Sequence, residues 1–356
     1  MYFAVWLPIT TPGVSGPTLM RDEASAPGSP RLRPVRRPRR ALGPALRVAF
    51  LVLAVVLLGL ALRDQGPDAR AAARALGPAA VAGSLVAVLT GLLASALCWR
   101  ALLADLGTPL GLRAGLGVFF LGQLGKYVPG SVFAVAAQME LGRTHGAPRS
   151  RTATAGLLFL GVLVASGLLV AATVLPLTSP DALSSYAWVL GLLPLGVAVL
   201  APPVLTRVVG LVLRLLRRDP LDRPLSARGV GAALAWALVM WAAYGLHLWL
   251  LVRTQDVGPA LLLSTGAYAL AWTAGLLVVA APAGAGVREV ALVAALAPVL
   301  DRGAALAVAV LSRVLMTLGD LVWGAVGGVL HSRAGAVKTP RRSADRDREP
   351  LDRSTP

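Results

Sequence analysis

Long apolar runs constrain this sequence more than any other feature. Six of them have the length that a helix needs to cross a bilayer, which is about 20 residues. We place these spans at 45–62, 78–99, 152–175, 186–206, 230–252 and 303–330. The composition agrees, because 56% of the residues are hydrophobic, 14% are charged and the mean hydropathy is +0.71. The sequence therefore predicts an all-α, polytopic helical membrane protein, and the alternating segments of a transmembrane barrel are not evident.

Positive charge is concentrated outside the apolar runs. The net charge is +17, and the basic residues cluster in 21–47, 143–151, 207–228 and 331–353. All four clusters fall on one side if both termini are cytoplasmic, as the positive-inside rule requires. No nucleic-acid partner is expected, because no folded basic domain remains outside the spans. We divide the chain into a disordered basic segment (1–44), a transmembrane domain (45–330) and a disordered charged tail (331–356). Met20 offers an alternative start, which would leave residues 1–19 outside the mature protein.

Residue types that carry catalysis or bind metals are scarce. The single cysteine, Cys98, excludes an intrachain disulfide. The three histidines, His145, His247 and His331, are scattered and lack metal-ligand spacing. No nucleophile, phosphate-loop, metalloprotease or dinucleotide motif appears in its required context. We therefore expect no catalytic residue, no metal and no cofactor, and we do not expect an enzyme.

A break interrupts the apolar stretch 115–142, GLGVFFLGQLGKYVPGSVFAVAAQMELG. Its two arms are each too short to span a bilayer. Pro129 removes a backbone donor and Gly130 allows a sharp turn, so the helix should stop between the arms. Non-helical backbone at membrane depth needs protein or a water-filled cavity around it. We interpret the stretch as a re-entrant helical hairpin that enters from the cytoplasm.

A second break, APAGAG at 281–286, separates the apolar arms 260–280 and 287–300. The breaking residues are Pro282, Gly284 and Gly286. The first arm is almost long enough to cross alone, so both crossing and re-entry stay open. The charge asymmetry is satisfied if this hairpin re-enters from outside. Paired broken segments of opposite orientation are typical of inverted-repeat transporters with a site near the midplane, although no residue-level repeat accompanies them.

Polar residues lie on both sides of the first break. Lys126, beside the free amides of the next arm, is a candidate anchor for a lipid phosphate or another anion. An equal alternative is a lysine that extends to the interface. Gln123 and Gln138 predict either a polar lining or hydrogen bonds between helices. Glu140 and Arg143, spaced i, i+3, favour an ion pair at a helix end.

Charged residues also follow the second break and recur on the last span. Arg288 and Glu289 begin a helical arm and predict an anion site, with Glu289 as counter-charge or proton carrier. A structural pair with the last span is the alternative. Arg313, Thr317 and Asp320 lie at i, i+4 and i+7, which places them on one stripe within reach of that pair. A purely structural network is an equal alternative for this stripe.

An aromatic stripe on the fifth span comprises Trp236, Met240, Tyr244 and His247. This pattern favours packing or an interfacial belt over a site. We place His247, together with Trp249, near the outer interface and assign it no role.

Two stretches, GQLGKYVPGSVFAVAAQMELGR and PAGAGVREVAL, resemble the lysylphosphatidylglycerol synthase transmembrane region. This flippase-like family includes the N-terminal half of the multiple peptide resistance factor, and the resemblance covers about 45–330. It implies a bacterial inner-membrane protein associated with translocation of lipids or lipid-linked sugars. Because only a short tail follows residue 331, we do not expect this chain to aminoacylate lipid. The matching positions are Lys126, Tyr127, Pro129 and Gly130 in the first stretch, and Pro282, Gly284, Gly286, Arg288 and Glu289 in the second.

These features together favour a flippase-like transporter that moves an anionic or amphipathic lipid, or a lipid-linked sugar, between leaflets. Lys126 and Arg288 would hold the headgroup, while Glu289 and Asp320 would balance charge or carry protons. The expected partners are membrane lipids. The alternative is a non-transporting membrane partner of a glycosyltransferase or another lipid-modifying enzyme.

Overall fold

The part of the chain that the structure describes consists of helices and their connections, without a strand. The computed structural model describes residues 74–127, 133–178, 190–215, 221, 224–252, 261–277 and 284–335, except 75, 192 and 285. The predicted first span at 45–62, the breaking residues Pro129, Gly130 and Pro282, the segment 1–44 and the tail beyond 335 lie outside these residues. All described residues belong to the unit Pro44–Pro356.

Ten α-helices lie within the described residues. Short 3₁₀ helices lie at Leu124–Tyr127 and at Leu175–Thr178. The α-helices are α1 (Pro78–Asp105), α2 (Leu112–Gln123), α3 (Phe133–Arg143), α4 (Arg149–Val174), α5 (Leu193–Val199), α6 (Pro202–Leu215), α7 (Ala227–Val252), α8 (Leu261–Leu277), α9 (Val287–Leu296) and α10 (Arg302–Gly335).

Four of the described helices, α1, α4, α7 and α10, are long and apolar enough to cross a membrane. They cover the predicted spans 78–99, 152–175, 230–252 and 303–330, except that α4 ends one residue early, at Val174, and α10 continues past 330. The short helices α5 and α6 pass the same test together but are bent by 63°. The break between them lies directly before Pro202 and Pro203, because prolines interrupt the hydrogen bonding of a continuous helix. The sequence of the basic segment 207–228 begins with an amphipathic pattern, and in the structure α6 continues through this part to Leu215.

Each predicted hairpin consists of two arms that pack on each other. In the first hairpin Gly122 of α2 lies against Gln138 of α3, and Gly125 lies against Ala134, so the arms are antiparallel. A Cβ on Gly125 would sit 2.8 Å from the Cα of Ala134, which explains the glycine. With 12 and 11 residues, α2 and α3 are each too short to span a bilayer.

The second hairpin is built in a similar way from α8, with 17 residues, and α9, with 10. Gly275 of α8 contacts Gly284 and Arg288 at the start of the returning arm. Gly284 and Gly286 have φ angles of 71° and 82°. Residues with a Cβ rarely adopt this left-handed backbone, so the two glycines allow the chain to turn into α9.

The long helices fix the direction in which each hairpin runs. Helix α1 packs antiparallel to α7, since Gly83 lies against Leu250 and Gly91 against Tyr244. Helix α10 runs parallel to α1, because the order of contacts is the same along both. Ser84 and Ser312 both contact His247, and further along Leu89 accepts a hydrogen bond from Trp323.

The hairpins run in opposite directions against this frame. Helix α2 is antiparallel to α10, with Gly117 against His331 and Leu124 against Gly324. Helix α8 is antiparallel to α7, because Gly245 lies against Thr265 and the rings of Trp241 and Trp272 are 5.4 Å apart. Since α10 parallels α1 and α7 opposes it, α2 and α8 point in opposite directions, as the sequence predicted.

The packing also interleaves a first half (α1–α4) with a second half (α7–α10). The first arm of each hairpin packs on the last long helix of the other half, α2 on α10 and α8 on α4. The second arm packs on the last helix of its own half, α3 on α4 and α9 on α10. Helices α1 and α7 form the extensive central contact. This exchange of equivalent contacts is the pattern of an inverted repeat.

Candidate functional site

A cavity of about 180 Å³ lies where the two hairpins meet the long helices. Residues of α1, α4, α7 and α10 that line it come from the central parts of those helices, among them Ser95, Phe159, Tyr244 and Thr317. Seven of the eight residues predicted to bind lipid or anion contribute to its walls, and the eighth, Glu289, contacts one of the seven. The seven are Gln123, Lys126, Tyr127, Gln138, Arg288, Arg313 and Asp320.

Asp320 of α10 is the centre of a first polar cluster. Its side chain is 5% exposed, and the Nζ of Lys126 lies 2.8 Å from Oδ1 and 2.7 Å from Oδ2. The hydroxyl of Tyr127 donates to Oδ2. A buried carboxylate is stable only when paired and hydrogen-bonded, and these two donors supply that. Lys126 therefore has its counter-ion inside the bundle, at the end of the first hairpin's first arm.

Glu289 and Arg313 form a second polar cluster. The Arg313 guanidinium donates to Oε1 of Glu289, and their side chains are 16% and 13% exposed. The other carboxylate oxygen accepts the backbone N–H of Gly286 at 2.7 Å. Glu289 thus caps the N-terminus of its own helix, where acidic groups are favoured. The sequence assigned the free amides of this arm to a ligand, and in the structure Glu289 occupies one of them.

The two clusters share helix α10. Arg313 and Asp320 lie on the stripe that the sequence predicted, and Thr317 between them also lines the cavity. Arg313 reaches the second hairpin, whereas Asp320 reaches the first. The stripe therefore connects both hairpins to one helix.

Arg288 differs from the other two cavity cations in its partner. It donates to the hydroxyl of Tyr268, and its guanidinium lies over the ring of Tyr268, 4.6 Å from the centroid. Among the described residues, every carboxylate that forms an ion pair is paired with a cation other than Arg288. The three cations Lys126, Arg288 and Arg313 thus face two carboxylates, those of Asp320 and Glu289. One positive charge remains on Arg288, which a bound anion would balance.

Sequence reasoning missed several residues around this cavity. Tyr268 supports Arg288 from beneath, and Tyr244 and Met240 line the wall, although we read their stripe as packing. The available signal was a tyrosine within an apolar arm, because a buried hydroxyl usually has a partner. Sequence reasoning also missed how His247, placed near the outer interface, is held. It is fully buried, with its ring nitrogens 2.6 Å from the Ser84 hydroxyl and 2.8 Å from the Ser312 hydroxyl.

The ion pair predicted at the end of the first hairpin is present outside the cavity. The Arg143 guanidinium lies 2.9 Å from Oε1 of Glu140, and Arg149 lies 2.5 Å from Oε2. Hydrogen bonds from these arginines lower the pKa of Glu140 to about 2. This cluster joins α3 to the start of α4 and does not contribute to the cavity wall.

The fold and the cavity define a class: a polytopic α-helical membrane protein with two oppositely directed broken-helix hairpins around a cavity that has charged side chains in its wall. The family described as the lysylphosphatidylglycerol synthase TM region matches residues 45–324, which include both hairpins and every described residue that lines the cavity. The chain belongs to this family. No curated protein matches the sequence.

Proposed function

We propose that the protein is a flippase-like transporter that carries a lipid with an anionic headgroup between the leaflets. The observation that carries this proposal is Arg288, a cavity cation without a carboxylate partner among the described residues. A guanidinium presents paired N–H donors that match a phosphate group. In the proposed complex, the lipid phosphate lies on Arg288 and the acyl chains remain in the bilayer.

The position of the cavity supports transport rather than simple lipid adhesion. The cavity lies between hairpins of opposite direction and beside the central parts of the long helices. Inverted-repeat transporters place their substrate site at such a midpoint, so that it can open to either side. In this proposal, Lys126 and Arg313 leave their carboxylates in turn as the headgroup passes, and Asp320 and Glu289 keep the chamber near neutrality.

The proposal includes an orientation and a set of partners. We place both termini on the cytoplasmic side of a bacterial inner membrane, because the basic clusters then obey the positive-inside rule. Membrane lipids are the proposed partners, and we propose no chemical reaction. A scaffold for a glycosyltransferase or another lipid-modifying enzyme would not need an internal cavity, so the cavity favours transport.

The test is a headgroup-accessibility assay in proteoliposomes with phosphatidylglycerol that carries a reducible fluorophore. Loss of a charge-assisted contact costs about 1.5–3 kcal/mol, so Arg288→Ala should slow translocation by roughly 10- to 100-fold. Arg288→Lys should retain part of the rate, because it keeps the charge. Arg302→Ala, at an exposed arginine outside the cavity wall, is the matched control and should translocate normally.

Two results would refute the proposal. One is a rate in Arg288→Ala equal to that of the parent chain. The other is a parent chain no faster than protein-free liposomes. Co-purification of a glycosyltransferase together with the second result would support the scaffold instead. Mass spectrometry of co-purified lipids would identify the headgroup.

A further inference from the structure

Helix α6 presents three distinct faces. At about 100° per residue, the buried residues Leu205, Val209 and Leu213 share one face, which packs into the protein core. Val208, Leu211 and Leu215 form a second face, and they are 47%, 51% and 74% exposed. Arg207 and Arg214 lie together along one edge of that exposed apolar face, and both are exposed.

One end of the helix bundle carries much of the described positive charge. The C-terminal end of α1 contacts the N-terminal end of α7 through Asp105 and Ser226. It also contacts the N-terminal end of α4, where Arg151 donates to the carbonyl oxygen of Gly107. We call these joined helix ends the basic end. The arginines at or beside it include Arg113, Arg149, Arg151 and Arg228.

Helix α6 reaches the level of the basic end within its first turns. The hydroxyl of Thr206 accepts the backbone N–H of Leu225 at 3.1 Å, and the next residue, Ser226, donates its own N–H to Asp105. Nine residues of α6 follow Thr206 and extend for about 13 Å. Because Leu205, Val209 and Leu213 stay buried along this length, that part of α6 remains packed on the protein. Helix α6 runs in a different direction from α5, because the two helices are bent by 63° relative to each other.

The charges on α6 indicate what covers its exposed faces. The helix contains two arginines and no acidic residue. No carboxylate among the described residues lies within ion-pairing distance of either arginine. An apolar face bordered by basic residues is typical of helices in the plane of a membrane that contains anionic lipids.

We propose that α6 lies in the headgroup layer at the basic end and binds anionic phospholipid there. Val208, Leu211 and Leu215 enter the upper part of the acyl chains, and Arg207 and Arg214 contact lipid phosphates. This site is separate from the cavity, since no residue of α6 lines the cavity. The proposal does not depend on transport.

A cysteine scan tests the placement of α6. The chain has one cysteine, Cys98, which is buried, so single-cysteine variants are made in a Cys98→Ser background. The proteoliposomes are permeabilised so that the reagent reaches both faces of the membrane. A charged maleimide should then label Arg207→Cys and Arg214→Cys several-fold faster than Val208→Cys, Leu211→Cys and Leu215→Cys. The labelling rate should therefore follow the helix face. A rate that changes steadily from residue 207 to 215 would show a membrane-crossing segment and would overturn the proposal.

A quenching experiment tests the lipid preference. A bimane label on Leu215→Cys should be quenched more by brominated phosphatidylglycerol than by brominated phosphatidylcholine. Arg207→Gln with Arg214→Gln should abolish this difference. Arg113→Gln with Arg333→Gln, which removes the same charge from exposed positions on other helices, should preserve it. Equal quenching by the two lipids in the parent chain, or an unchanged preference in the α6 double variant, would overturn the proposal. If that variant fails to fold, the cysteine scan in the arginine-containing chain decides.

Discussion

Lys126 and Asp320, which are 194 positions apart in the sequence, form an ion pair in the wall of the cavity. The lysine follows the first arm of the first hairpin, and the aspartate lies on the last long helix. Arg313 lies seven residues before Asp320 on the same helix and pairs with Glu289 of the second hairpin. Helix α10 therefore connects both hairpins, and its two charged contacts are suitable points for testing the structure.

Removing the lysine should destabilise the fold through the aspartate that it leaves behind. In Lys126→Met, Asp320 would stay buried with only the Tyr127 hydroxyl as a donor. The cost should be about 1–3 kcal/mol, as for a buried polar group that loses its main partner. The measurement is the unfolding midpoint in detergent of Lys126→Met, Asp320→Asn and the double variant. The double variant should lose less than the sum of the singles, and strict additivity would contradict a direct pair.

Tyr268 should tune the affinity of the proposed headgroup site. Tyr268→Phe keeps the ring beneath Arg288 and removes the hydroxyl that accepts its N–H. A hydrogen bond of about 0.5–1.5 kcal/mol corresponds to a roughly 2- to 10-fold loss of affinity. The measurement is the concentration of short-chain phosphatidylglycerol that half-saturates binding to the purified protein. Tyr244→Phe, which removes another hydroxyl from the cavity wall, is the control and should bind normally. Equal losses in the two variants would argue against a specific role for Tyr268.

Glycine at the first hairpin should be required for the close approach of its arms. An added Cβ in Gly125→Ala would meet the backbone of Ala134 at 2.8 Å, so the arms must separate. Overpacking of this kind costs about 1–3 kcal/mol. Gly161→Ala is the matched control, because nothing lies within 4 Å of its added Cβ and α4 continues through it. That control should be neutral or stabilised by up to about 1 kcal/mol. A lower unfolding midpoint in Gly161→Ala than in Gly125→Ala would contradict the close packing of the two arms.

The Glu140 cluster should make a pH-dependent contribution to stability. Its pKa is lowered from 4.5 to about 2 by Arg143 and Arg149. A lowered pKa in the folded state means that the contribution is present above pH 4.5 and is lost as the pH falls toward 2. In Arg149→Gln the pKa should rise toward its ordinary value. Carboxyl carbon NMR can follow the titration, because the sequence contains only four glutamates. Arg228→Gln, at the start of α7, should leave it unchanged, and a rise in that control would exclude a local cause.

Local chemistry explains why the hairpins and most cavity residues were predictable from the sequence. Proline and glycine mark the two interruptions. A charged residue near each one is costly in a membrane unless it faces a cavity or pairs with another charge. The stripe of Arg313 and Asp320 follows from helical periodicity alone. The partners did not follow, because periodicity does not say which hairpin each member of the stripe reaches.

Tertiary packing decides what the sequence left open. Glu289 caps its own helix and also pairs with Arg313, which leaves Arg288 to Tyr268. His247 looked like an interfacial residue by position, yet three helices bury it between two serine hydroxyls. The exchange of α2 and α8 between the halves likewise depends on contacts far apart in sequence.

The interleaving of the halves has a consequence for synthesis on the ribosome. Domains generally fold from the N-terminus as the chain emerges, but α2 packs on α10, which is translated last among the described helices. Until then Lys126 lacks its carboxylate, at a cost of about 2.5–3.5 kcal/mol if it is held at membrane depth. A nascent chain that stalls before residue 302 would therefore retain an incompletely docked first hairpin, and membrane quality-control proteases would have a window in which to recognise it.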